Sequence, residues 1–422
     1  MSKVICYPKS CEPEMFEVEN YYFEIFSTSQ KKEINIGHVG NLFFRELKRS
    51  RIKPSSIELD FLILAMSVVA ADKAVVRKNS ADGWTRQIEL TVYLHEVEKW
   101  ISVKDKLEWM LRFLSGDFWK LNIKPLPASL VPQNEYPLRD QDCVCLLSGG
   151  MDSLVGAIDL HESGRNPLFV SQIVRGDAEH QREYAAAFGN DNMCQWSNYV
   201  SKKGVSENST RARSLIFFAF ALIATCGIKS NSVGKKEIFV PENGFISLNI
   251  ALDSLRMGTL STKTTHPVYM MVLQDIWNSL DLNVELVLPY KFKTKGEVLK
   301  DCKNQELMNK FIFGSTSCGK YQRHGLRHCG VCVPCMVRRA AFLKAGIEDE
   351  TERGYCLPLK GSNSRDVAAA ALAVMQIEQY GIESLIKSEL SFTNGAERKQ
   401  YVGMVERGIE EIGNLLKWNS LL

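Results

Sequence analysis

Two short stretches of this 422-residue chain combine residue types and spacings that suit chemistry. The first is Cys143-Val144-Cys145-Leu146-Leu147, followed by Ser148-Gly149-Gly150-Met151-Asp152-Ser153 and then LVGAIDL. It reads as a strand running through a tight turn into a helix. Glycines in such a turn let the backbone approach an anion, while free N–H groups and the positive end of the helix dipole point at it. The Ser148 and Ser153 hydroxyls add donors. No Gly-Lys-Ser/Thr follows, so the stretch is not a Walker loop, and it is not a dinucleotide fingerprint either. Asp152 is acceptor-only when ionised and suits holding Mg²⁺ or capping the helix; the plain alternative is a chemically silent Ser/Gly turn.

The second stretch is SCGKYQRHGLRHCGVCVPCMVRR, in which Cys318, Cys329, Cys332 and Cys335 have the spacing C-x10-C-x2-C-x2-C. Four of the chain's twelve cysteines are gathered there. Four thiolates close a tetrahedral Zn²⁺ site at about 2.3 Å per bond and leave no position for water, so the metal is expected to be structural. An iron–sulfur cluster or a redox C-x2-C pair are the alternatives. His324 or His328 can replace one cysteine as ligand. Lys320, Arg323 and Arg327 either sit over an anionic ligand or form a solvated basic loop.

The elements that must position these residues can be read from apolar spacing. Val144 to Leu147, Leu168 to Val174, Glu237 to Val240 and Val284 to Leu288 predict strands. Asp152 to Glu162, Glu179 to Phe188, Arg211 to Cys226 and Pro267 to Leu280 predict helices between them. This alternation predicts an α/β fold with a doubly wound parallel sheet, where ligands gather at the carboxyl ends of the strands. Upstream, a helix over Ile57 to Ala71, an alternating run QIELTVYL from Gln87 to Leu94 and a helix over Val97 to Leu114 predict a mixed α+β accessory domain without a chemical motif. Its Asp72 and Arg86 read as structural. Four of the thirteen prolines fall between Leu121 and Arg139, which places a boundary there. Residues 1–135, 141–345 and 346–422 are the expected units, the last a helical extension from Asp366 to Tyr380 and Asn394 to Trp418.

Composition bounds what these elements can do. With 45% hydrophobic and 24% charged residues the chain is globular rather than disordered. Lys plus Arg at 52 against Asp plus Glu at 49 is too even to argue for a nucleic-acid or membrane partner, and no basic stripe interleaved with aromatics is visible. Neither a secretory signal nor a run of roughly 20 apolar residues appears, so the cytoplasm is the expected compartment.

With both motifs in view, residues from about 141 to 345 resemble 7-cyano-7-deazaguanine synthase, the QueC family of N-type ATP pyrophosphatases. The SGGMDS turn resembles their pyrophosphate-binding loop. Other users of that loop, such as GMP synthetase and NAD synthetase, lack the Cys₄ arrangement. His180-Gln181-Arg182-Glu183, Ala212-Arg213-Ser214 and Lys293-Thr294-Lys295-Gly296-Glu297 look similar too. The resemblance implies a Rossmann-like PP-loop (HUP) fold that binds ATP through Ser148, Gly149, Gly150, Asp152, Ser153 and Arg213, with Mg²⁺ and Zn²⁺ as cofactors. Thr294 with Glu297 forms a capping box that leaves Lys295 free to reach a phosphate, and Lys295 and Asp152 are the expected catalytic residues. Arg213 reads equally as a helix-end charge.

The implied reaction is attack of a 7-deazapurine carboxylate on the ATP α-phosphate, giving an acyl-adenylate and pyrophosphate. Ammonia then forms an amide, and a second adenylation drives dehydration to the nitrile. The chain departs from the family where a Tyr-rich stretch ending in Asp-Cys-Arg is expected, having Pro241-Glu242-Asn243-Gly244-Phe245-Ile246-Ser247 instead. A polar, cationic segment from Leu255 to Pro267 follows. Glu242, Asn243, Arg256 and His266 are the candidate substrate residues, for a purine-like edge or an acceptor; each can equally satisfy a turn backbone. With the added amino-terminal domain, these features resemble the enlarged QueC-like proteins of bacterial anti-phage systems, the QatC type, which are encoded beside an ATPase and a nuclease-like partner. Modification of a protein partner, plain nitrile synthesis, and a non-catalytic nucleotide-binding scaffold are the three functions this leaves.

Overall fold

The computed structural model describes residues 1–27, 36–202, 204–209, 211–229, 234–252, 263–386 and 390–422. Eleven strands are present among them: β1 (Ser2–Tyr7), β2 (Tyr21–Ile25), β3 (Ile36–Val39), β4 (Gln87–Leu94), β5 (Phe118–Pro125), β6 (Cys143–Leu146), β7 (Pro167–Gln172), β8 (Met193–Trp196), β9 (Val200–Ser201), β10 (Lys236–Phe239) and β11 (Val284–Val287). They form two sheets, ordered β5-β4-β1-β2-β3-β9 and β11-β10-β6-β7-β8.

All pairs of the second sheet are parallel. Its first strand, β6, is central, with the next two strands on one side and the last two on the other. The order therefore reverses between β6 and β10, and the SGGMDS turn leaves β6 at that crevice, the usual ligand position in such sheets.

The amino-terminal sheet corrects the expectation of a mixed α+β unit. β1 to β5 are all parallel and repeat the same order; only β9 is antiparallel, against β3. The reason it was not legible is burial: β2 and β3 are buried almost without interruption, so they lack the two-residue alternation that marks a half-exposed strand. The proline-rich stretch also begins inside an element, since β5 runs to Pro125. A terminal position on an edge strand tolerates proline.

The two sheets share a core. The helices Ser56–Ala74 and Arg213–Thr225 are apolar on nearly every side and buried accordingly. They pack on each other, the first against β1, β2 and β4, the second against β6, β7 and β10. One continuous apolar cluster joins Val4, Leu90 and Phe61 to Val144, Leu168 and Phe220. Phe43 stacks on Phe220 at 5.8 Å and meets Trp196 edge-on at 5.7 Å. Asp72 and Arg86 are structural as expected. Buried Arg86 lies 2.5 Å from Asp72 and 2.6 Å from Asp117, tying the end of the first helix to β4 and β5.

The carboxy-terminal helices Val333–Ala345, Arg365–Tyr380 and Gly395–Trp418 enclose a second apolar cluster that includes the four cysteines. Among the described residues, no helix is long and apolar enough to cross a membrane.

Candidate functional site

The turn after β6 is shaped by its glycines. Gly149 has φ +91°, a conformation that demands glycine, and a Cβ there would lie a tight 3.2 Å from the Asp177 Cβ. The Ser148 hydroxyl donates to the Ser153 hydroxyl at 3.1 Å, and that of Ser153 to the Gly150 carbonyl at 3.0 Å. Gln181 fixes the turn from behind by donating to the Ser148 carbonyl at 3.0 Å. The helix Met151–Glu162 begins at once, presenting its amino-terminal N–H groups at the turn.

A cavity of about 200 Å³ opens beside it. Ser148, Gly150, Asp152, Ser153, Glu242 and Lys295 contribute to its walls, closed by Thr316, Ser317 and Pro334. The structure thus brings most of the expected ATP and catalytic residues to one place, together with one expected substrate residue. Arg213 is not part of this wall. It stands exposed at the start of its helix, where its Nε donates to Gln172 Oε1 at 3.1 Å.

Three ionisable groups meet at the floor. Asp152 Oδ2 accepts from Lys295 Nζ at 2.7 Å and from Asn243 Nδ2 at 2.7 Å. Burial alone would raise the Asp152 carboxyl. The Lys295 charge, with hydrogen bonds from Glu242, Lys295 and Asn243, outweighs burial and holds it below the usual range. Glu242 moves the other way, pushed well above the usual range by burial and then by the Asp152 charge. Of the two carboxyls, Asp152 is thus the one favoured as the anion and Glu242 the one favoured to carry a proton. Asp152 Oδ1 is buried without a hydrogen-bond partner. An orphaned carboxylate oxygen beside a second carboxylate whose proton a cation can displace fits an oxygen-seeking divalent ion.

Asn243 is fully buried and caps the helix Gly244–Leu248, its Oδ1 accepting from Ile246 N at 3.0 Å. It positions Asp152 rather than facing the cavity. His266 is corrected more fully: it caps Pro267–Ser279, its Nδ1 accepting from Val268 N at 3.2 Å. Its ring sits edge-on between Phe113 and Phe392, and burial pushes it down to about 4, so it is a neutral packing residue outside the cavity. Arg256 lies outside the described residues.

Lys295 is held by contacts that sequence reasoning reached only in part. The Thr294–Glu297 capping box is present. Buried Glu411, from the carboxy-terminal helix, accepts from the Thr294 hydroxyl and from Gly296 N at 3.3 Å. Nothing in the local sequence marks Glu411, because its partners lie 117 and 115 residues away.

The cysteine cluster fits a metal. The four sulfurs lie within 4.8 Å of one another, with Cys318 to Cys332 at 3.9 Å and Cys329 to Cys335 at 3.8 Å. Four ligands at about 2.3 Å around a tetrahedral Zn²⁺ would stand about 3.8 Å apart. Hydrogen bonds from the Cys332 and Cys335 thiols, then from the Cys329 and Lys320 backbone N–H groups, push Cys318 far below the ordinary thiol value. His328 is not a ligand here: its Nε2 accepts from Ser317 N at 3.2 Å.

The cluster is coupled to the turn after β6. Thr316 N donates to the Gly149 carbonyl at 3.0 Å, two residues before Cys318. Fully buried Arg338 donates to the Ile312, Phe313 and Ser315 carbonyls and so fixes that strap. The metal module thereby builds one wall of the cavity.

The fold and site together define an α/β protein with a Ser/Gly turn and cavity at the reversal point of a parallel sheet, and a four-cysteine cluster whose geometry fits a metal ion. Similarity to known proteins points the same way. No protein-family model matches the chain. It is 25% identical over 247 residues to 7-cyano-7-deazaguanine synthase of Methanococcus maripaludis strain C6, covering 50% of this chain and 97% of that protein. The synthase of Chlorobium chlorochromatii is 25% identical over 225 residues, covering 49% and 93%. That of Methanococcus aeolicus is 41% identical over 64 residues, covering 15% and 27%. These matches support a QueC-like family for about half of the chain.

Proposed function

We propose that the protein is an ATP-dependent enzyme of the N-type ATP pyrophosphatase family that adenylates a carboxylate of a 7-deazapurine-like substrate. The observation that carries this is the cavity after β6, where the Ser148–Ser153 turn, Lys295 and the Asp152–Glu242 pair converge at the sheet's reversal point. In this reaction a substrate carboxylate oxygen forms a bond to the α-phosphorus of ATP, and the bond to the bridging oxygen breaks, releasing pyrophosphate.

Backbone N–H groups at the helix start, with the Ser148 and Ser153 hydroxyls, meet the phosphate oxygens. Lys295, oriented by Asp152, meets the charge that accumulates on the leaving pyrophosphate. Asp152 and Glu242 are the residues that would hold Mg²⁺, which when bound supplies positive charge against the phosphates. No side chain need act as nucleophile; the rest is positioning. The zinc is structural in this reading, and Arg213, paired with Gln172 outside the cavity wall, has no part in the chemistry. Residues 1–135, 141–345 and 346–422 act as accessory unit, ATP-binding unit and support for Lys295.

The finer reading is a QatC-type role in a bacterial anti-phage system in the cytoplasm, where the activated carboxylate passes to a protein partner. The altered Pro241–Ser247 segment and the added sheet favour it. Plain nitrile synthesis is the second reading, favoured by matches that span nearly all of two synthases.

The test is product analysis with ATP, Mg²⁺, ammonium and 7-carboxy-7-deazaguanine. Pyrophosphate and bound acyl-adenylate formed stoichiometrically with the chain, without free nitrile, and AMP released only when a co-expressed partner accepts the acyl group, is the expected result. Accumulating nitrile would establish plain synthesis. Absence of AMP with and without co-expressed neighbouring proteins would leave only the nucleotide-binding scaffold.

A further inference from the structure

A second cavity is larger than the one after β6. A pocket of about 410 Å³ lies at the amino ends of β4 and β5, walled by the helix Lys104–Ser115, Phe118, Arg211 and Lys263. Its volume suits a small ligand. Among the described residues its charged lining is cationic: Arg112, Arg211 and Lys263. The nearest buried acids, Asp72 and Asp117, are already engaged by Arg86 and Arg77.

The same wall carries three aromatic rings. Trp109 stacks on Phe113 at 5.5 Å and 13°, yet remains 49% exposed, so its contact with Phe113 leaves much of the ring to solvent. Phe118 is 46% exposed, with Arg112 over its ring at 4.4 Å. Lys263 stands 4.1 Å from the centre of the Phe113 ring. Arg211 is fixed over Trp84 at 5.1 Å and donates to the Ser115 carbonyl at 2.6 Å. Cations held on ring faces are already positioned and shed part of their hydration, which prepares them for an anion.

From this arrangement we propose that the pocket is a second nucleotide site, taking a nucleoside monophosphate whose base stacks on Trp109 and whose phosphate meets Arg112, Arg211 and Lys263. Both halves of the wall are used by such a ligand. An acidic peptide would pair with the cations and leave the half-exposed rings unused, and a nucleic-acid strand needs a groove rather than a pocket of this size. The site is separate from the cavity after β6, although both flank the same short stretch. Ser247, four residues after Asn243, hydrogen-bonds Thr265 at 3.2 Å, and His266 touches Phe113. The proposal does not depend on the adenylation chemistry.

The test titrates AMP into the full chain while following tryptophan fluorescence and equilibrium dialysis, with no deazapurine present. Wild-type protein should show saturable quenching. Arg112→Glu should weaken that phase at least tenfold, and Trp109→Ala should remove the quenching and weaken binding. Both positions are exposed, and circular dichroism with a thermal scan confirms folding; Arg112→Gln serves if Arg112→Glu fails to fold. Gly149→Ala, in the other cavity, should leave the phase in place. AMP binding insensitive to both pocket substitutions would overturn the proposal. So would inorganic phosphate binding as tightly as AMP, which would show the rings to be idle. A single-stranded dodecathymidylate binding more than tenfold tighter than AMP would replace it with a nucleic-acid site.

Discussion

Replacing Asp152 by Asn tests the charge arrangement at the floor of the cavity. Asn keeps the shape but removes the negative charge 2.7 Å from Lys295 Nζ. Losing one partner of a buried ion pair typically costs about 3–5 kcal/mol, because the remaining charge is stranded. Here a second carboxylate is at hand. Burial and the Asp152 charge both push the Glu242 carboxyl up; with Asn at 152 the second cause disappears while the Lys295 attraction stays. Glu242 should then ionise and take over as counter-ion. Asp152→Asn should therefore lose only about 1–2 kcal/mol, whereas Asp152→Asn with Glu242→Gln should lose the full 3–5 kcal/mol, a coupling of about 2 kcal/mol. Denaturant midpoints of wild type, both single variants and the double variant measure it. AMP formation should fall about a hundredfold in Asp152→Asn, since Lys295 is pulled toward Glu242 and away from the phosphates. A double variant no less stable than the sum of the singles would refute the substitution of Glu242 for Asp152 as the Lys295 counter-ion.

Three further outcomes are expected. Glu411 is pushed up to about 7 from 4.5, by burial, against hydrogen bonds from Thr294 and Gly296. A raised carboxyl contributes stability that is complete below 4.5 and lost as pH rises through 7, about 3 kcal/mol in all. The thermal midpoint of wild type should accordingly drop relative to Glu411→Gln between pH 5 and 8, and a pH-independent difference would refute that assignment. Gly149→Ala should raise the KM for ATP at least tenfold and cost about 1–2 kcal/mol, since alanine is strained at φ +91° and crowds Asp177; unchanged kinetics would remove the turn from ATP binding. Purified protein should carry one zinc per chain by elemental analysis, and Cys329→Ser should lose it together with several kcal/mol of stability and the nucleotide affinity that depends on Thr316. Retention of full affinity without metal would uncouple the module from the cavity.

Both chemical motifs were legible because each is local. The SGGMDS turn needs only the conformational freedom of Gly149 and a following helix start, and the cysteine ligands Cys329, Cys332 and Cys335 sit within seven residues. The second sheet was legible for a similar reason, since β6, β7, β10 and β11 are short apolar runs separated by helical stretches. β8 escaped because Met193–Trp196 is only four residues long, and β2 and β3 because continuous burial erases the alternation. Among the proposed substrate residues, Glu242 lines the cavity, while Asn243 and His266 proved to be caps, the role their residue types commonly take before a helix.

Residue type and spacing therefore determine the loop, the cysteine cluster and the alternation of elements, all of which are set by neighbours along the chain. Only the tertiary structure decides what those parts do to each other. Lys295 meets Asp152 across 143 residues, and Glu411 reaches back 117 to Thr294. The meeting of Glu242, Asp152 and Lys295, and the pocket assembled from Trp109, Arg112, Arg211 and Lys263, exist because two sheets close on one pair of apolar helices. Charge and proximity between distant segments carry no signature in a linear pattern; they follow from how the chain buries its apolar surface.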